Sequence, residues 1–351
     1  MRATTQRMAL LETLGKVKSV VPSRSVVPIC SSILIRADGG VITLTGTDLE
    51  VSVSGNCKAS ISKAGAVCAS PKQLESFLRG ISAKTVTLSS VGKASLKVEA
   101  DNATTVIEGF EAKEFPPVAG VKGKGLEVAN LGKALKDTSY AMAKDDTRPV
   151  LNGLCFTPID KGVELAAADG YRLAKTTVKA KGSLAGQVII PSKAAQLLEK
   201  LMLGKVTIHP GQEDIAFVGD GLALVAKTIQ GTYPNYNQVI PKNGSPLTVD
   251  RKQLQDALKV IMGMKDAHDR VFLRTRGKAL IASRKDEEGG RTEFRVPAKG
   301  KVKIAFKGKQ LKDLLARVDG QFTLRTTTSQ SPGVVKNNGT IHVLMPLNIE
   351  W

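Results

Sequence analysis

The stretch VCASPKQLESFLRGI (67–81) reads as the end of a strand running into an amphipathic helix. VIIPSKAAQLLEKLM (188–202) and VKIAFKGKQLKDLLARV (302–318) repeat that plan. Aligned on Lys72, Ser192 and Lys309, the copies lie 120 and 117 residues apart. Their apolar residues fall three and four positions apart: Leu74, Phe77 and Leu78, then Leu197, Leu198 and Leu201, then Leu311, Leu314 and Leu315. That spacing predicts three helices, each with one buried stripe. A strand-like run follows each of them: KTVTLSS, GKVTIHP and GQFTLRT.

More of the chain repeats with the same period. A second helix is expected in MALLETLGKVKSV (8–20), with Leu11, Leu14 and Val17 as its apolar positions, in LEVANLGKALKDTSYAMAKD (126–145) and in LTVDRKQLQDALKVIMGMKD (247–266). The hairpin TGTDLEVSV (45–53) matches AAADGYRLA (166–174), with Asp48 and Asp169 121 residues apart, and the third copy has the longer acidic turn SRKDEEGG. GVKGKG (120–125) and PKNGSP (241–246) are turn-rich linkers at the same separation. The chain therefore divides into three α+β units, 1–120, 121–244 and 245–351, each with two helices on antiparallel sheets and each long enough for its own core. The period is too long for a solenoid.

A net charge of +19 favours a polyanionic partner, with nucleic acid ahead of an anionic membrane. Only 4% of the residues are aromatic, which disfavours stacking on single strands, whereas duplex phosphates need only Lys and Arg. The predicted helices carry Lys72, Arg79, Lys133, Lys136, Lys193, Lys200, Arg251, Lys259, Lys309 and Lys312, with acids such as Glu75, Asp137 and Asp256 between them. Each helix alone reads as a solvated face; six on one plan point to a shared positive surface. Cys30, Cys57, Cys68 and Cys155 form no CxxC pair and are expected as buried thiols. With no signal-peptide core and no apolar span, a soluble cytoplasmic protein is expected.

Enzyme chemistry finds little support. His209, His268 and His342 lie in different motifs, and GxSxG, HExxH and Walker A patterns are missing. Asp145-Asp146 reads as solvated charge at a helix end, so no catalytic residue, metal or cofactor is expected. The stretch AAADGYRLAKTT (166–177) packs an acid, a glycine, a tyrosine, an arginine and a lysine together, and by itself allows a catalytic cluster, a binding edge or a plain hairpin turn.

RPVLNGLCF (148–156), AADGYRLAK (167–175), GTYPNYNQVIPKN (231–243) and VLMPLNI (343–349) resemble the bacterial sliding-clamp family, the beta subunit of DNA polymerase III. PICSSILIRADGGVITLTGTDLEVSV (28–53) and FEAKEFPPV (110–118) fit the family's first domain, and the likeness is weakest within 265–335. The resemblance implies a head-to-tail homodimer closed into a ring around double-stranded DNA. Such a ring would tether a replicative DNA polymerase, take up other clients with a clamp-binding motif, and be opened by a clamp loader. A non-ring, sequence-independent duplex-binding protein derived from the same fold is the alternative.

The resemblance also implies a client-peptide groove. Leu151, Gly170, Tyr171, Arg172 and Leu173 would form one wall, with Arg172 as a polar guide; Pro234 and Val239 would form the next. Val343, Leu344, Met345, Pro346 and Leu347 would close it, with Ala168, His268 and Ser331 alongside, although VLMPLNI alone reads as a final strand. Arg24 and Arg148 match basic DNA-facing positions. The chain departs from the family in its strongly basic balance and in Glu350-Trp351, which extend past the usual end.

Overall fold

The computed structural model describes residues 1–349 apart from Lys122, 145–147 and Leu203, so Asp145-Asp146 and Glu350-Trp351 lie outside the described residues. Among the described residues are six α-helices: α1 (Arg7–Val17), α2 (Pro71–Gly80), α3 (Leu131–Thr138), α4 (Ser192–Leu201), α5 (Arg251–Ile261) and α6 (Gly308–Leu315). Apart from short 3-10 segments the remainder is antiparallel strand and turn, giving the expected α+β class. In the first unit a strand, Arg2–Gln6, lies ahead of the predicted helix, and the segments predicted as opening helices of the second and third units are in fact a strand followed by a helix, Leu126–Val128 before α3 and Ser245–Asp250 before α5. Asp250 ends the last of these strands because its side chain accepts the Gln253 N–H and caps α5. Ser70 does the same for α2 through the Gln73 N–H, with Pro71 in the first turn. The buried stripe of α1 is Leu10, Leu14 and Val17; Leu11, expected there, is half-exposed.

The chain condenses into two compact units. The first holds Met1–Gly132, Ala180–Leu184 and Lys193–Thr228. Within it, α1 packs on α2 and on strand Val51–Lys63. The last part of that strand pairs with Arg2–Gln6, and its middle with Val41–Thr47. Its first five residues pair with strand Leu222–Lys227, in register from Leu222 opposite Gly55 to Ala226 opposite Val51. The first repeat's sheet thus continues into the last strand of the second repeat. Gly55 permits this approach, since a Cβ there would sit 2.8 Å from Leu222 and 2.9 Å from Thr13 of α1.

The second unit holds Lys133–Lys179, Ala185–Ser192 and Ile229–Trp351. Strand Arg172–Lys181 pairs along one edge with Gly162–Ala168. Along the other edge it takes Thr340–Leu344, in register from Arg172 opposite Leu344 to Lys175 opposite Ile341. This ladder repeats the plan of the first unit. Alternation on the terminal strand splits its side chains: Val343 enters a cluster with Leu151, Leu173, Tyr233 and Val334, and Leu344 enters the core beneath α5 and α6. The four cysteines are buried free thiols, and burial pushes the Cys68 thiol up to about 12.

At this junction His342 is fully buried opposite Ala174, with Nδ1 3.0 Å from the Tyr140 hydroxyl. Burial is the main cause of its lowered pKa, from 6.5 to about 4; Arg317 and Lys133 add to the fall and Asp137 opposes it. A depressed folded pKa gives stability that is complete above the unfolded value and is lost as pH falls from 6.5 toward 4. The expected loss is about 3 kcal/mol. Denaturant titrations at pH 7 and pH 4.5 should show it, and His342→Gln should flatten that interval.

Candidate functional site

The hairpins at Asp48 and Asp169 share one turn. The Asp48 carboxylate accepts the Glu50 and Val51 N–H groups, and the Asp169 carboxylate accepts those of Tyr171 and Arg172. Each closes with one backbone bond, Asp48 N–H to Val51 O and Asp169 N–H to Arg172 O. The position after the acid has a left-handed φ in both, +80° at Leu49 and +87° at Gly170. At Gly170 a side chain would also strike Arg148, because a Cβ would lie 2.8 Å from its Nη2. Arg148, expected to face DNA, therefore sits against the Asp169 turn.

Arg172, expected as a polar guide of the groove, has a side chain that is 9% exposed and doubly paired, Nε with Asp169 at 2.9 Å and Nη1 with Asp313 at 2.8 Å. Its guanidinium lies 5.3 Å from the centre of the Tyr140 ring, and Arg317 approaches the same ring at 5.5 Å. Burial raises the Tyr140 hydroxyl above its usual range, partly offset by these two cations. Tyr140, Asp313, Arg317 and His342 left no local sequence signal, since they are scattered over three segments that only the fold joins.

Apolar groove residues gather around the junction ladder. Leu151, Leu173 and Val343 are buried in one cluster with Tyr233 and Tyr236, and Ala168 packs against it. The Tyr233 hydroxyl accepts the Ala168 N–H at 2.9 Å, which fixes the segment carrying Pro234 and Val239. Above this floor Tyr171, Val239 and Met345 are 55%, 50% and 37% exposed. Met345 N–H donates to Tyr171 O, Leu347 N–H donates to Ala305 O, and both bonds measure 2.8 Å. The Lys307 ammonium lies 4.9 Å from the centre of the Tyr171 ring.

Not every predicted groove residue belongs to this surface. Leu344 points into the other core. His268 is exposed on a loop held by Asp266, whose carboxylate accepts from Arg270 and the His268 N–H. Burial pushes the Asp266 carboxyl up, but these bonds outweigh it and hold it below the ordinary carboxylate range. With Arg172, Asp313 and Leu347, His268 lines a neighbouring cavity of about 770 Å³. Ser331 bonds to Thr328, and Pro346 is half-buried.

The basic positions also divide. Lys72, Lys136, Lys200, Lys309 and Lys312 are exposed on helices, and Arg24 on a loop. Arg79, Lys133 and Lys259 are exposed but share charge with Glu75, Asp137 and Asp256. Lys193 is committed to Asp48. Arg251 donates to Leu315 O at the end of α6, as Arg7 does to Leu78 O at the end of α2, so both cap a neighbouring helix's carbonyls.

This architecture is shared with solved sliding clamps. The clamp of Caulobacter crescentus aligns with a TM-score of 0.91 at 27% identity, over 99% of this chain and 100% of that one. A clamp from Bartonella birtlesii bound to griselimycin gives 0.92 at 26%, over the same shares of the two chains. Paired amphipathic helices on sheets that run on from repeat to repeat define the DNA sliding-clamp class. The profile of the DNA polymerase III beta subunit N-terminal domain matches residues 1–119, and that of the central domain matches 125–235. The beta sliding clamp of Pseudomonas putida is 28% identical over 367 residues, covering 99% of this chain and all of its own. The chain belongs to the DNA polymerase III beta subunit family, and its function is that of a DNA sliding clamp without catalysis.

Arg172→Ala would leave the largely buried Asp169 without its partner, so a destabilisation of about 3 kcal/mol is expected in denaturant unfolding. Arg172→Lys should recover only part of it, because an ammonium cannot meet two carboxylates as a planar fork does.

Proposed function

We propose that two copies of this chain close head to tail into a ring on double-stranded DNA and hold a replicative polymerase there. The observation that carries this reading is a pair of open strand edges. The last strand of the second repeat pairs with the first repeat, and the last strand of the third pairs with the second. The last strand of the first repeat, Ala103–Phe110, pairs with Ser95–Ala100 and, at its end, with Gly65–Ala69. The matching acceptor in the third repeat, the first half of Arg291–Gly300, pairs only with Ala279–Lys285 among the described residues. Val106, on the open edge, is 51% exposed. Open edges of this kind invite a second chain, and a contact between unlike surfaces closes when the rotation permits.

In this reading 1–120, 121–244 and 245–351 are the three clamp domains, and the exposed helix lysines attract phosphates without reading sequence. Topological closure then replaces tight binding. Val239, Met345 and Leu347 over the floor of Leu151, Leu173 and Val343 suit the apolar anchors of a short client peptide from the polymerase, the clamp loader or other clamp-binding proteins. Cytoplasmic localisation follows from that role.

Sedimentation should give twice the chain mass, and Val106→Arg, set against Arg291 and Arg295, should raise the dimer dissociation constant at least tenfold with the fold intact by circular dichroism. A wild-type monomer at micromolar concentration would favour the non-ring reading. Loaded protein should stay on circular DNA and leave once that DNA is cut. Met345→Ala with Leu347→Ala should weaken a clamp-binding peptide by about tenfold or more while the dimer mass stays the same.

A further inference from the structure

One sheet face in the third repeat is largely unused by the groove and by the helices, with only Lys307 at its corner reaching the groove's Tyr171. Strands Arg270–Arg276, Ala279–Lys285, Arg291–Gly300 and Lys303–Lys307 turn Val271, Leu273, Leu280, Ile304 and Phe306 toward the core beneath α5 and α6. The alternate residues make up the opposite face. Across it Arg270 stands opposite Lys307, and Lys285 opposite Arg291. Four residues further along, Lys303, Arg274, Ile281 and Arg295 form a second row, followed by Arg276. A shallow cavity of about 390 Å³ on this face is lined by six cations and two acids, Asp286 and Glu293; Arg291 pairs with Glu293 and Arg270 with Asp266 outside the lining, which leaves Arg274, Arg276, Lys285 and Lys303 as its excess positive charge. Arg274, Arg276, Lys285, Arg295 and Lys303 are exposed.

We propose that this face is a second binding surface for duplex DNA, taking the phosphate backbone from outside the helix-lined site. The charge selects a polyanion, and the shape selects a duplex. Four strands make a platform roughly 14 Å wide, and the two basic rows lie about 13 Å apart, close to the width of a B-DNA major groove, so each row meets one of the flanking backbones. Phe272 is the one aromatic in the lining, which is too few for stacking a single strand. The surplus of +19 thereby acquires a place and a use, since a chain that only surrounded DNA would need positive charge on its helices alone.

Covalently closed circular duplex separates the two sites, because a closed ring cannot thread a closed circle without a loader. The full-length dimer, free of loader, should bind such a plasmid in fluorescence anisotropy with a steep salt dependence. Arg274→Glu with Arg276→Glu and Lys303→Glu should weaken binding at least tenfold and lower the slope of log K against log salt by about 3. These residues lie away from the open edge, so the dimer mass should not change. Lys72→Glu with Lys136→Glu and Lys200→Glu should leave closed-circle binding as it was. No binding by the wild type, undiminished binding by the sheet variant, or an equal loss in the helix variant would each overturn the proposal. Tighter binding to phosphatidylserine vesicles, polyglutamate or single-stranded circles than to the plasmid would overturn it as well.

Discussion

Antiparallel pairing between the last strand of one repeat and the middle of the repeat before it is the interaction on which the structure depends. Leu222–Ala226 lies on Val51–Gly55, and Ile341–Leu344 lies on Arg172–Lys175. Each ladder satisfies two strand edges that would otherwise expose a row of unpaired backbone groups. It also fixes register, since a slip of one residue would send Val343 and Leu344 into each other's cores. The turn at Asp169 is held at the end of the second ladder, so Tyr171, Met345 and Leu347 come to one surface as a by-product of sheet pairing.

The repeat was legible because helices advertise themselves. Leu74 and Leu78 in α2, and Leu311, Leu314 and Leu315 in α6, are buried as the spacing required. The turn at Asp169-Gly170 was also legible, because few residues tolerate a left-handed φ. The short strands before α3 and α5 were hidden in the predicted helical segments, since three to six residues cannot display a period of two against a neighbouring period of 3.6. The contacts of Arg172 and Arg148 were hidden for another reason: a sequence shows that a cation exists and leaves its neighbours, Asp313 or the face of Gly170, to the tertiary fold.

Charge is used in two ways along the chain. Some cations are internal fasteners. Lys193 secures the Asp48 turn, Arg172 ties the Asp169 turn to α6, and Arg284 joins Asp269 beneath the His268 loop. In each of these pairs only one side chain is largely buried, so salt screens the pair less than it screens open surface charge. The exposed helix lysines and the exposed cations of the third-repeat sheet face water, where added salt weakens them more. Ionic strength therefore acts more on exposed charge than on the pairs that hold the turns.

Strand Thr340–Leu344 gives one side chain to each of two cores, through Val343 and Leu344. Neither core can melt while the strand stays in place, and the strand cannot leave without opening both. The second compact unit is thereby bound to unfold as one cooperative block, and damage near the chain's end is felt as far away as α5.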